Sequence, residues 1–253
     1  MLNNSDSINF FRNNYEKILK KITETAQKFN RNPNEIKILA VSKTHNYEIV
    51  MQAIQAATSI FTENKNPIFA ENYAQEFRDK NKNLINYYEN QNLKIPKFDW
   101  HFIGHLQANK VKYLVPYVKA IHTVDTVSLA NEINKCAEKY SKIIDVLIQV
   151  NTSGEASKSG IEPEECVQIA KNILVLKNIN LIGLMTIGTF SEDEKIIRKE
   201  FSLLRNCLAE VNFQTGLSLK ELSMGMSNDF EIAIEEHATM LRIGSAIFGG
   251  RQQ

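Results

Sequence analysis

The chain has 253 residues, of which 43% are hydrophobic and 23% are charged, and its 30 basic and 29 acidic side chains leave a net charge of +1. This composition excludes an intrinsically disordered chain, which would need low hydrophobicity and a high net charge. The near-neutral balance also removes the simplest argument for nucleic acid or an anionic membrane as the main partner.

The cysteines and the amino-terminal segment indicate a reducing compartment. Cys136, Cys166 and Cys207 are odd in number, far apart in sequence and part of no CxxC pair, so we interpret them as structural thiols. The first residues are polar and include Asp6, unlike a secretory signal. No apolar run approaches the roughly 20 residues of a membrane span. We therefore expect a cytoplasmic protein.

In chain order, the sequence predicts one long helix and then a series of short strands. The helix covers about residues 3–30, and Asn32-Pro33 ends it. Its apolar stripe consists of Phe11, Tyr15, Ile18, Ile22 and Phe29. Eight apolar runs that are too short for helices follow it. They are 37–43, 68–72, 100–104, 120–125, 145–151, 181–188, 221–227 and 241–249.

Helical stretches separate most of these runs. Pro163 suits the first turn of a helix over about 163–177. Ser191 and Glu194 have the spacing of a capping box at the start of another helix. The polar stretch 78–98 predicts a helix followed by a surface loop.

The strands are nearly all apolar instead of alternating, which is typical of a parallel sheet covered by helices on its faces. Eight strand–helix units in about 250 residues fit an α/β fold, the (β/α)8 or TIM barrel, with one extra N-terminal helix. We expect residues 1–253 to form one such domain. The alternative is an open, doubly wound sheet.

Lys43 is the most informative single residue. It follows the apolar run Ile38–Val41 almost directly, and in this fold function lies at the carboxyl ends of the strands. Partial loss of hydration there favours the neutral amine, which is a nucleophile toward carbonyl groups. The alternative is a lysine on the rim with its ammonium in water.

The loops after the seventh and eighth strands are the usual phosphate site of this fold. Gly225 and Gly244 let the backbone approach an anion closely, while Ser227 and Ser245 add hydroxyl donors. Ordinary turn chemistry is the alternative for each loop taken alone. Arg242 lies within the eighth apolar run and needs a partner, which is either a structural carboxylate or a ligand.

The histidines do not predict a metal site. His101 and His105 have a spacing that can hold a metal on a helix, but they flank a strand end and no HExxH motif is present. His45 and His122 fall near strand ends, where they either line the site or belong to the rim, and we place His237 on a helix surface. No GxGxxG, GxxxxGK[ST] or GxSxG motif occurs.

The sequence resembles a known family, the pyridoxal phosphate homeostasis proteins, which are alanine-racemase-like barrels. The resemblance covers nearly the whole chain, in order. The matching segments are AVSKTH (40–45), ENYAQE (71–76), WHFIGHLQANK (100–110), IHTVD (121–125), NTSGEASKSGI (151–161), GLM (183–185), LSMGMSNDFEIAI (222–234) and LRIGSAIFG (241–249).

The resemblance implies pyridoxal 5′-phosphate as the cofactor and assigns roles around it. Lys43 would form an internal aldimine, and Asn72 would lie near the ring substituents. Arg242 would face the pyridine nitrogen and keep it unprotonated, which favours holding the cofactor over carbanion chemistry. The phosphate would be held by Ser227, Gly244 and Ser245, helped by the backbone around Met226.

Some positions depart from the family pattern. The family commonly has Gly where Ala70 and His237 stand and Pro where His105 stands, and the connections over 58–68 and 78–98 are extended here. None of these positions is Lys43 or part of the phosphate loops.

We therefore expect a protein of cofactor homeostasis that stores, buffers and delivers pyridoxal phosphate, with apo-enzymes as partners, no catalytic residue of its own and a monomeric state. An amino-acid racemase or decarboxylase is the first alternative, but it needs acids or bases on both faces of the ring, and only Lys43 is a clear candidate. The chain also ends soon after the eighth strand, which leaves no length for a second domain. A class I aldolase and a regulatory module that senses the cofactor are further alternatives.

Overall fold

The computed structural model describes residues 4–61, 66–155 and 157–250. It opens with the long helix α1 (Asn4–Lys28), whose buried stripe includes Phe11, Tyr15 and Ile22. This stripe packs α1 against the helices on the outside of the sheet, so the expected extra N-terminal helix is confirmed.

The sheet is a closed barrel of eight parallel strands, in which each strand pairs with the next and the last pairs with the first. The eight apolar runs therefore all contain strands, and the predicted (β/α)8 barrel is confirmed over the open sheet. The strands are β1 (Lys37–Val41), β2 (Ile68–Glu71), β3 (Asp99–Phe102), β4 (Val118–Val124), β5 (Ile144–Gln149), β6 (Ile179–Met185), β7 (Glu221–Met226) and β8 (Met240–Ile243).

Helices cover the outside of the barrel between these strands. They are α2 (Tyr47–Thr58), α3 (Ala74–Asn90), α4 (Val111–Leu114), α5 (Val127–Lys139), α6 (Cys166–Leu174), α7 (Glu194–Thr215), α8 (Phe230–Glu235) and α9 (Ser245–Phe248). A short 3-10 turn, Pro163–Glu165, leads into α6 and has Pro163 at its start, as predicted. The predicted helix and loop over 78–98 correspond to α3 and the segment after it.

Two predictions about element boundaries are wrong. The eighth run does not stay extended to residue 249, because Phe248 N–H donates to Gly244 O at 2.9 Å and the chain turns into α9 after Gly244. The capping box also does not form. Instead Asp193 caps α7, and its side chain accepts from Lys195 N–H while Ser191 Oγ accepts from Asp193 N–H.

The main core lies between the barrel and its helices, while a smaller apolar cluster fills part of the barrel interior. The interior cluster consists of Leu39, Val41, Ala70, Ile103, Leu147, Met185 and Met240. Side chains alternate along a strand, so residues that share the parity of these positions also point inward. The same rule brings several polar side chains into the barrel.

The structure shows the state of the cysteines and the character of the helices in the described part of the chain. Cys136, Cys166 and Cys207 are all buried free thiols, and a side-chain hydrogen bond with Cys207, together with burial, raises the pKa of Cys166. Within residues 4–61, 66–155 and 157–250, no helix is long and apolar enough to cross a membrane. Part of the extended connection 58–68, residues 62–65, lies outside the described residues.

Candidate functional site

A cavity of about 700 Å³ opens at the carboxyl ends of the strands, and we name it the carboxyl-end cavity. Its volume is within the range of ordinary ligand pockets. All seven residues that the sequence nominated for a cofactor line it. They are Lys43, Asn72, Met226, Ser227, Arg242, Gly244 and Ser245.

Strand parity explains why distant residues meet here. Leu39 and Val41 point into the barrel, so Lys43 continues the inward series of β1, and Arg242 likewise follows Met240 on β8. Because β8 pairs with β1, with Leu39 opposite Arg242, the first and last strands place these two cationic side chains on the same cavity.

Arg242 is only 5% exposed, and its guanidinium is held by two uncharged acceptors. It donates to Ser223 Oγ at 3.0 Å and to the carbonyl oxygen of Thr186 at 2.7 Å. Burial lowers the pKa of Arg242 to about 10, against the opposing effect of Asp229. Of the two partners that the sequence left open, no structural carboxylate is bound to Arg242 among the described residues, so the buried cation faces the cavity.

A buried ion-pair cluster supports the turn that carries Lys43. Lys80 Nζ donates to Ser42 O at 2.8 Å, to Glu71 Oε1 at 2.6 Å and to Glu76 Oε1 at 2.9 Å. Glu76 also accepts from the backbone N–H of Thr44, whose φ of 69° lies in the left-handed region. Lys80 and its carboxylates therefore fix the backbone on both sides of Lys43.

Glu71 is fully buried in this cluster. Its Oε1 accepts from Ser42 Oγ as well as from Lys80, while its Oε2 has no partner among the described residues. Burial raises the pKa of Glu71, and the nearby Lys80 opposes that rise. The pair thus depends on Lys80 to keep a carboxylate charged inside the protein.

The β7–α8 loop supplies one wall of the cavity through Met226, Ser227 and Asp229. The N–H of Met226 donates to the Asp229 carboxylate, so Met226 contributes lining and not a free N–H. Gly225 has a φ of 89°, and a Cβ there would lie 2.5 Å from Ala233 Cβ. This glycine is thus required by the turn and its packing, and it does not line the cavity as the sequence suggested.

The β8–α9 segment supplies the opposite wall. A Cβ on Gly244 would meet only Val41, at ordinary contact distances of 3.5 and 3.6 Å, and the backbone there has a negative φ. Neither packing nor backbone conformation requires glycine at this position, so a side chain would take up space in the cavity. Ser245 begins α9, and Phe248 at its end stacks on His45 at 4.8 Å between ring centroids.

Asn72 brings an unsatisfied acceptor to the cavity. Its Oδ1 is buried and has no hydrogen-bond partner among the described residues. Buried polar atoms are nearly always paired, so this oxygen is suited to a donor on a ligand. Asn72 follows β2 directly, as the sequence predicted.

The histidines lie in different environments. His101 is buried within β3, whereas His105 is exposed in the segment after it and lies 3.9 Å from Asp125. No group of three His, Cys, Asp or Glu residues in the described part of the chain is arranged to hold a metal ion. The sequence left open whether His45 lines the site or belongs to the rim. In the structure His45 lines the cavity.

Sequence reasoning missed one wall of the cavity. The β6–α7 loop contributes Ile187, Thr189, Phe190 and Glu192. Phe190 is 90% exposed. An apolar residue within a polar loop was the one feature of the sequence that could have indicated this wall. It is a weak signal, because single exposed apolar residues are common on protein surfaces.

Comparison with known proteins places this barrel and site in a class. Residues 14–252 match the family described as alanine racemase, N-terminal domain. An alanine racemase from Clostridium difficile has the same fold, with a TM-score of 0.67 at 16% identity. It covers 93% of this chain, and this chain covers 57% of the racemase.

More similar relatives define the family within that class. The chain is 39% identical over 236 residues to the pyridoxal phosphate homeostasis protein of Aquifex aeolicus, covering 93% of this chain and 96% of the relative. It is 35% identical over 246 residues to the Escherichia coli K12 protein of the same description, covering 96% and 98%. The chain belongs to the pyridoxal phosphate homeostasis protein family.

One solved structure of a similar protein contains the cofactor. PipY of Synechococcus elongatus, in a structure with PLP bound, aligns with a TM-score of 0.74 and 29% identity. The alignment covers 90% of this chain and 100% of PipY.

Proposed function

We propose that this protein binds pyridoxal 5′-phosphate in the carboxyl-end cavity and takes part in the homeostasis of that cofactor. The observation that carries the proposal is that one cavity is lined by a lysine, a buried arginine and two Ser- and Gly-containing loops. The lysine suits an aldehyde, the arginine suits a ring nitrogen, and the two loops suit a phosphate. The description of the relatives and PipY with PLP bound support the same ligand.

Three features of the cavity fit that group. Asn72 Oδ1 lacks a donor, which a ring hydroxyl would supply. The absence of a side chain at Gly244 leaves open space that the packing of the protein does not require. Ser227 and Ser245 add hydroxyl groups on the two loops where this fold binds phosphate.

Arg242 supplies the third feature. An arginine can only donate, so against the pyridine nitrogen it would favour the unprotonated ring.

When bound, the cofactor supplies an aldehyde that condenses with a primary amine to an imine, with the loss of one water. Lys43 is the amine in this proposal, and its turn is held in place by Glu76 and Lys80. An unprotonated ring is a poor electron sink. Arg242 therefore favours retention of the cofactor over carbon-acid chemistry, and reversal of the condensation releases it.

The physiological role follows from this chemistry. A reversible covalent link limits free aldehyde, stores the cofactor and allows its delivery to apo-enzymes. We place this role in the cytoplasm and assign it to a monomer with no catalytic residue of its own. Racemisation would need a second acid or base on the other face of the ring, and the proposed site assigns that role to no residue.

The test is a comparison of Lys43→Ala with Lys171→Ala, an exposed lysine on α6. Each protein is mixed with pyridoxal phosphate, its absorbance spectrum is recorded, and borohydride followed by mass mapping locates the labelled lysine. We expect the wild type and Lys171→Ala to show the imine band and a label on Lys43. Lys43→Ala should lose both and still fold, because Lys43 lines the cavity and belongs to neither apolar cluster of the core.

Two results would overturn the proposal. One is a label that persists at another lysine with an unchanged spectrum in Lys43→Ala. The other is robust amino-acid racemisation that Lys43→Ala abolishes, because this would make the protein an enzyme.

A further inference from the structure

A chain of buried hydrogen bonds runs away from Arg242 through the barrel interior. Arg242 donates to Ser223 Oγ at 3.0 Å, Ser223 Oγ lies 2.9 Å from His122 Nδ1, and His122 Nε2 lies 2.9 Å from His101 Nδ1. Ser223 and His122 are fully buried, and His101 is 5% exposed. The chain therefore crosses the barrel interior from β8 to β3 through side chains that are almost completely buried.

The direction of every proton in this chain follows from Arg242, because a guanidinium only donates. Ser223 Oγ has no third partner among the described residues, so its hydroxyl is satisfied only if it donates to His122 Nδ1. A neutral His122 then carries its proton on Nε2 and donates to His101 Nδ1. A neutral His101 must carry its own proton on Nε2.

Both histidines are in the neutral form that this ordering requires. Burial lowers the pKa of His101 to about 3 and lowers the pKa of His122 well below its usual value. Nearby groups lower the pKa of both rings further: Lys37 acts on His101, and His101, Arg242 and Lys37 act on His122. Asp145 opposes the shift of the His101 pKa. Each donor in such a series polarises the next.

The chain ends at a second cavity at the amino ends of the strands, which we name the amino-end cavity. It has a volume of about 520 Å³ and lies between the barrel and helix α1. His101 lines it, and of its two ring nitrogens Nδ1 is bonded to His122, which leaves Nε2 for another partner. Nine of the residues that line the cavity are apolar, among them Leu19, Ile22, Ile38, Ile68, Ile182 and Met240, and the other ten are polar or charged.

We propose that the amino-end cavity is a second ligand site that takes a small, uncharged molecule with an apolar portion, and that a carbonyl or hydroxyl oxygen of this molecule accepts the Nε2–H of His101. The volume is that of a ligand pocket. Among the described residues that line it, His101 is the one deeply buried polar group, and its proton position is fixed from the far side of the barrel.

The charges at the cavity determine the ligand class. Lys37 pairs with Glu221, and Lys119 pairs with Asp145 at 3.1 Å. Asp99 adds a third carboxylate to the two lysines of the lining. This excess of negative charge disfavours an anion, while a donating His101 disfavours a cation. An uncharged acceptor satisfies both conditions.

The first test concerns the proton positions and needs no variant. Long-range 15N–1H NMR spectra of the cofactor-free protein, labelled in its five histidines, report which ring nitrogen carries the proton. We expect the Nε2–H form for both His101 and His122. A proton on Nδ1 of either ring, or a charged ring, would overturn the proposal.

The second test uses cyclohexanone as the probe, with cyclohexylamine as a matched cation that lacks an acceptor. Cyclohexanone should shift the His101 resonances with a saturable dependence on its concentration, and cyclohexylamine should not. His101→Phe keeps an aromatic ring but removes the donor, so it should weaken cyclohexanone binding about tenfold or more. The exposed His237→Asn serves as the control and should bind like the wild type.

Three outcomes contradict the second ligand site. They are the absence of saturable cyclohexanone binding to the wild type, equal binding by cyclohexylamine, and binding unaffected by His101→Phe. Because both tests use cofactor-free protein, their result is independent of whether Lys43 binds pyridoxal phosphate.

Discussion

A histidine in the left-handed region of the backbone ends α8. His237 has a φ of 70°, its N–H donates to Ile234 O at 3.1 Å, and the N–H of Ala238 donates to Ala233 O at 2.8 Å. This is the Schellman arrangement, in which glycine is the usual residue. The structure thus gives a physical reason for the glycine that the family resemblance suggested at this position. His237 is exposed, but it lies in the turn after α8 and not on a helix surface as predicted.

His237→Gly should therefore stabilise the protein by about 1 kcal/mol, because glycine removes the steric cost of the left-handed conformation. Urea unfolding at neutral pH measures the change, with His237→Ala as the control that keeps a Cβ. If the alanine variant gains as much as the glycine variant, backbone strain is not the cause.

At the scale of elements, the turn after β1 depends on α3. Lys80, on α3, is the partner of the fully buried Glu71 at the end of β2, and it also binds the carbonyl of Ser42 next to Lys43. Its side chain is only 3% exposed. Loss of Lys80 would leave an unpaired carboxylate inside the protein, which costs more than the ion pair itself contributes.

Lys80→Met should destabilise the protein by about 3–5 kcal/mol. The double variant Lys80→Met/Glu71→Gln should recover a large part of this loss, since glutamine keeps an acceptor for Ser42 and carries no charge. Urea unfolding of the two single variants and the double variant gives the coupling energy. Additive effects of the two substitutions would contradict the pairing.

The strands were predictable from sequence and their last residues were not. Nearly continuous apolar runs are specific to a covered parallel sheet, which is why all eight were found. The turn into α9 depends on the bond from Phe248 N–H to Gly244 O, and no periodicity precedes it. Likewise Ser191 and Asp193 both suit a helix start, and local geometry selects Asp193.

At the scale of the whole molecule, the carboxyl-end cavity was predictable because the fold fixes which strand ends converge. The fold alone nominated Lys43, Ser227, Arg242, Gly244 and Ser245, and the resemblance added Asn72, Met226 and the role of each residue. The chain through Ser223 and His122 was not predictable, because inward pairing across a barrel depends on the relative stagger of strands far apart in sequence. His101 drew attention in the sequence only as half of an improbable metal pair.

The buried histidines make stability depend on pH. Because the pKa of His101 falls to about 3 in the folded protein, the unfolded chain binds more protons between about pH 3 and pH 6.5. Stability then rises with pH across this window, by up to about 1.4 kcal/mol per pH unit for each such histidine.

We expect the loss of stability from about pH 7 to about pH 5 to be smaller in His101→Phe than in the wild type, because the variant lacks one group that must be kept neutral. Urea unfolding at the two pH values measures both slopes, and the slopes are compared instead of the absolute stabilities. Equal slopes would mean that His101 takes up its proton over the same pH range in the folded protein and in the unfolded chain. This result would contradict the lowered pKa of His101 in the folded protein.

The seam where β8 closes on β1 has a consequence for synthesis. A ribosome adds Lys43 long before Arg242, Gly244 and Ser245, and these residues meet only across that seam. A nascent chain therefore exposes the amine of Lys43 before the eighth strand has emerged to close the barrel. A ligand that contacts both sides of the seam, as the proposed function requires, would stabilise the closed barrel.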